Sequence, residues 1–70
     1  TRRQLEQLTP REFEILRLMS EGLLIDQVAS ALRISEKTVH NTMSLVRQKL
    51  EERSDFRLCR LVLEQGVVRL

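Results

Sequence analysis

The sequence predicts an all-α bundle of four helices, and three observations predict it. Apolar residues recur at intervals of three and four, with no strand-like alternation along the 70 residues. Thr9, Ser35 and Ser54 each stand just before such a stretch, where a helix needs acceptors for its free amides. Gly22 and Gly66, the only glycines, each follow one, where a left-handed residue ends a helix.

The first helix has the best-marked start. Thr9 caps it, Pro10 suits the first helical position, and Glu12 is placed to reach back to the Thr9 amide as a capping box. Leu8 and Phe13 occupy the positions of a hydrophobic staple. The helix is expected to run to about Glu21, with Gly22 as terminator. Residues 1–7, polar except for Leu5, read as a linker from an upstream domain, so that 8–70 form the domain.

A short second helix is expected over Ile25 to Leu32, with Val28, Ala29 and Leu32 inward. Leu23-Leu24-Ile25 offers its start no capping side chain, and Asp26 is expected either to serve as a cap or to add favourable charge to the first turn. Arg33-Ile34 makes a tight turn, and Ser35 caps a third helix expected over 36–52. There Val39, Met43, Val46 and Leu50 fall within an arc of about 60°, a narrow core-facing stripe. The other side carries Lys37, His40, Asn41, Ser44, Arg47 and Gln48, all able to hydrogen-bond and none acidic. The fourth helix, 55–65, confines its polar residues to Arg57, Arg60 and Glu64. Its apolar arc of roughly 200° exceeds what a small core hides, so part of it is expected to meet another protein surface.

Size and charge narrow the function. A chain this short buries about 60% of its unfolded surface, so its core is marginal. It is expected to fold beside a second copy or as part of something longer, and the start at Thr1 fits an excised piece. No apolar run approaches the ~20 residues that cross a bilayer, so no membrane association is expected. Cys59, the single cysteine, excludes an internal disulfide and reads as a small buried side chain in a reducing cytoplasm. One histidine and one cysteine make no metal ligand set, and no cofactor is expected. Acids and bases are present without a nucleophile, base and orienting group clustered in sequence, and no enzyme is expected. The net charge is only +2, yet Arg33, Lys37, Arg47 and Lys49 face a single acid, Glu36, in the segment 33–49. A locally basic segment on a near-neutral scaffold suits contact with phosphates.

A helix, a tight turn and a second helix with a polar outer face outline a helix-turn-helix, whose second helix enters the DNA major groove. His40, Asn41 and Ser44 carry groups that read base edges; Asn41 suits adenine and His40 guanine. Lys37, Thr38, Arg47 and Lys49 suit phosphates, and the Ser35 cap offers amides for a phosphate oxygen. Leu45 points off the core stripe, toward a thymine methyl, a neighbouring segment or solvent.

These residues also carry a resemblance. Leu8-Thr9-Pro10-Arg11-Glu12, Glu21-Gly22-Leu23, Val28-Ala29, Ile34-Ser35-Glu36-Lys37-Thr38-Val39 and Lys49-Leu50 together resemble the LuxR/GerE-type helix-turn-helix family, in order over about 8–68. The resemblance implies a bacterial, cytoplasmic transcription regulator, often with an upstream sensory or receiver domain. It implies a third helix that reads double-stranded DNA and a fourth that makes a homodimer, here through Leu58, Leu61, Val62 and Gln65. Lys37 and Thr38 match positions near phosphates; His40, Asn41 and Ser44 match positions that reach bases. Departures are Leu24 and Ile25 for a usual polar pair, Asp26 for a frequent base, Glu51 for a common glycine, and Phe56 for a usual polar residue. Glu51 leads to the expectation that the third helix runs on or ends less sharply. The alternative function is a helical protein-interaction or dimerisation module that has kept the fold without specific DNA binding.

Overall fold

Four capped helices connected by short turns follow the punctuation of the sequence. The computed structural model describes residues 5–64: α1 (Pro10–Ser20), α2 (Ile25–Leu32), α3 (Glu36–Lys49) and α4 (Asp55–Glu64), with no strand among the described residues. The expected terminator Gly66 lies outside them.

Each start has its own chemistry. At α1 the full capping box forms: Glu12 donates its amide to Thr9 Oγ1 at 3.2 Å, and Thr9 donates its amide to Glu12 Oε1 at 2.8 Å. At α2 the side chain of Leu24 cannot accept, but Gln27 Oε1 accepts the Leu24 amide at 2.7 Å, giving half a box. Asp26 is not the cap. At α3, Ser35 Oγ accepts the Thr38 amide at 3.0 Å, and at α4, Ser54 Oγ accepts that of Arg57 at 3.4 Å.

The first three helices end in one geometry. Gly22, Arg33 and Glu51 have φ of 97°, 58° and 54°, and the residue after each donates its amide back five positions. These bonds, Leu23 to Leu18, Ile34 to Ala29 and Glu52 to Arg47, are those of the Schellman motif. Glycine adopts this conformation without strain, whereas Arg33 and Glu51 are held there at a conformational cost. Helix α3 therefore stops at Lys49 with a sharp turn and does not continue to residue 52, correcting the expected boundary. The two backbone bonds at Glu51 and Glu52 outweigh the missing glycine.

Helix α1 packs against the other three, and α2 packs against α3. The core comprises Ile15 and Leu16 of α1, Val28 and Ala29 of α2, Val39, Met43 and Val46 of α3, then Leu50, and Leu58 and Val62 of α4. The predicted stripe of α3 is buried in full. Leu32 is only half-buried, and Leu8 and Phe13 of the staple pack against the core from its edge. Leu5 is 6% exposed and belongs to the core, although its polar neighbours suggested a linker. Cys59 is half-buried rather than buried. Ser20, also buried, is satisfied by donating its hydroxyl to the Leu16 carbonyl at 2.8 Å.

The burial of α4 bears on the expected interface. Leu58 and Val62 are 0% exposed, because α4 uses that side against α1. In the single chain neither presents surface to a second copy. Leu61 is half-buried at the rim, and Gln65 lies outside the described residues.

Candidate nucleic-acid interface

With its apolar stripe fixed inward, α3 turns the opposite side to solvent. Lys37, His40, Asn41, Ser44 and Gln48 are all exposed. Glu36, at the first helical position, is the single acid on the helix. At 100° per residue, Lys37, Asn41, Ser44 and Gln48 lie most directly opposite the core stripe, while His40 sits at the edge of that face. The three expected base-reading residues, His40, Asn41 and Ser44, are thus brought together in an open strip over the first three turns.

The expected phosphate contacts divide. Lys37 forms no ion pair among the described residues. Ser35 and Thr38 form one cap: their hydroxyl oxygens lie 2.9 Å apart while the Thr38 amide binds Ser35 Oγ. Arg47 is half-buried and donates from Nη1 to Asp55 Oδ1 at 2.7 Å, tying α3 to the first turn of α4. Lys49 donates from Nζ to Glu12 Oε1 at 2.7 Å, tying the end of α3 to the start of α1. Its head group therefore has a structural partner already.

Glu12 explains why that tie matters. Only 6% exposed, it accepts from both the Thr9 amide and Lys49. Burial pushes its carboxyl upward, but the bond from Lys49, the Thr9 amide and the ammonium charge outweigh it, leaving the group below its ordinary value. The carboxylate stays ionised.

Beyond Ser44 the surface changes character. An open groove of about 470 Å³ is lined by Ser44, Arg47 and Gln48 on one side and Glu51, Glu52 and Arg53 on the other. Two acids and two arginines there balance in formal charge. Sequence reasoning missed this flank, and missed the Arg47–Asp55 and Lys49–Glu12 pairs. The last joins residues 37 apart and leaves no local signal.

An outward polar helix, capped by serine and set behind a tight turn from α2, is the geometry against which relatives can be compared. Residues 6–62 match the model of the family described as bacterial regulatory proteins, luxR family. The chain belongs to this family. Among luxR-family relatives, it is 36% identical over 67 residues to the transcriptional activator protein ExaE of Pseudomonas putida, covering 96% of this chain and 31% of that protein. It is 44% identical over 55 residues to the nitrate/nitrite response regulator protein NarL of Escherichia coli K12, covering 76% of this chain and 26% of NarL. It is 47% identical over 49 residues to the transcriptional regulatory protein DegU of Brevibacillus brevis, covering 70% and 21%. The chain thus spans about a third or less of these three relatives. The luxR-family match covers every element that builds the outward face of α3.

Proposed function

We propose that this luxR-family domain binds double-stranded DNA in a sequence-specific manner as the output part of a bacterial transcription regulator. Helix α3 enters the major groove. One observation carries the reading: the side of α3 opposite the core is exposed, hydrogen-bonding and nearly free of acids, on a chain of a regulatory family. His40, Asn41 and Ser44 read bases; Ser35, Lys37, Thr38 and Arg47 contact phosphates. Arg47 exchanges the Asp55 carboxylate for a phosphate oxygen, at a cost no greater than that of an exposed ion pair. Lys49 contributes through the fold. The working unit is a homodimer joined through the outer side of α4 near Leu61, on two half-sites about one helical turn apart. An upstream sensory or receiver domain, as the word "response regulator" in the NarL name suggests, controls it in the cytoplasm.

Selection of duplexes from a random pool tests the reading. Enrichment of one motif is expected. Asn41→Ala should then cost about 1–3 kcal/mol and relax one base pair, while Arg47→Ala weakens all duplexes and flattens the salt dependence by about one phosphate. A pool that stays random after repeated selection refutes it. The reading of the domain as a protein-interaction module draws on Phe56, 75% exposed at the start of α4, but the burial of Leu58 and Val62 removes much of the apolar face that motivated it.

A further inference from the structure

Leu45 is the one large apolar side chain that α3 turns to solvent, at 48% exposed. Its phase on the helix is about 40° from that of Asn41, one turn further on, so the two share the outward face. Asn41 and Gln48, both exposed, lie one turn before and one turn after it. A solvated helix loses nothing by carrying a polar residue at such a place, and every neighbour on this face does. Leucine there has no hydrogen bond to offer. In a major groove it would strip water from whatever edge it covers, and amino, carbonyl and ring-nitrogen groups would lose partners. The C5-methyl group of thymine is the apolar feature that the groove displays.

Building on the DNA-binding reading above, we infer that Leu45 is a specificity residue that seats against the methyl group of a 5-methylpyrimidine in the bound duplex. Asn41 and Leu45 are four residues apart, about 6 Å along the helix axis. At 3.4 Å per base step, the methyl group lies within about two base pairs of the pair read by Asn41. The contact needs no new hydrogen bond and no movement of the backbone. It also complements Asn41: one residue selects by paired hydrogen bonds, the other by excluding every base edge that needs water.

The test uses the full-length protein and a duplex that it has enriched from a random pool. Each thymine in turn is replaced by deoxyuridine, which removes the methyl group and keeps Watson–Crick pairing. One thymine, within about two base pairs of the position relaxed by Asn41→Ala, should lose about fourfold in affinity, the weight of one buried methyl group. With Leu45→Ala the same replacement should change nothing, while wild type and variant give the same circular dichroism. Loss at no thymine overturns the inference and leaves DNA binding standing. So does a fourfold loss that persists in Leu45→Ala. Failure to enrich any duplex removes the DNA reading, and this inference with it.

Discussion

Replacing Lys49 with alanine should destabilise the bundle more than replacing Glu12 with glutamine, although both break the same ion pair. The asymmetry follows from burial. Glu12 is buried, whereas the Lys49 side chain is 36% exposed. Lys49→Ala strands a carboxylate inside the protein with the Thr9 amide as its main partner. Full isolation of a buried charge costs about 3–5 kcal/mol. The remaining bond and the opening left by the lysine lower the expectation to about 1.5–3 kcal/mol. Glu12→Gln keeps an oxygen for the Thr9 amide, removes the buried charge and returns the ammonium to water, at a cost of about 0.5–1.5 kcal/mol. The double variant should be more stable than Lys49→Ala alone. Urea unfolding at neutral pH, followed by far-ultraviolet circular dichroism, reads these differences directly. Each 1 kcal/mol also moves Tm by about 4–8 °C in a domain this small. Acid provides a second reading. The folded Glu12 carboxyl lies below its ordinary value of 4.5, so its stabilisation is present above that pH and lost as pH falls through the depressed folded value. The gap between wild type and Glu12→Gln should therefore close in acid, and the Lys49→Ala penalty should shrink there too. Glu12→Gln proving as costly as Lys49→Ala, or the two costs simply adding, would refute the account.

Two further outcomes are expected. Glu51→Gly should stabilise the protein by about 0.5–1 kcal/mol, because glycine relieves the left-handed strain while losing more chain entropy on folding; thermal unfolding checks it, and a lower Tm would count against the Schellman geometry. Leu58→Ala should cost about 2–5 kcal/mol at low protein concentration, where pairing plays no part, while Phe56→Ser stays within about 0.5 kcal/mol. Equal effects at the two positions would mean that α4 turns a different side to the core.

The fold was legible where its cause is local. Thr9 and Glu12 are three residues apart, and the Val39, Met43, Val46 and Leu50 stripe is a property of one helix, so both could be read directly. The outward direction of His40, Asn41 and Ser44 followed from that stripe. Helix α4 was harder because its apolar residues cover too wide an arc to reveal which part faces α1. The structure chose Leu58 and Val62, two of the residues expected outside. Leu5 looked like linker because one leucine among polar residues has no period. The end of α3 was misjudged because the cost of a left-handed Glu51 is local, while the bonds that offset it depend on how the chain turns. Lys49 was assigned by charge alone, and its partner Glu12 was visible only as a cap.

The corner at Arg33 has a consequence for how this surface can change over evolutionary time. Because α2 and α3 are joined by a turn closed by the Ile34-to-Ala29 bond, the length of that joint sets how closely α3 stands beside α2. One inserted residue would open that bond and displace the start of α3, while the buried Val39, Met43, Val46 and Leu50 stripe would still hold the rotation of the helix. Point substitutions along the outer strip can retune what it recognises, but insertions and deletions at the elbow should be excluded from functional descendants.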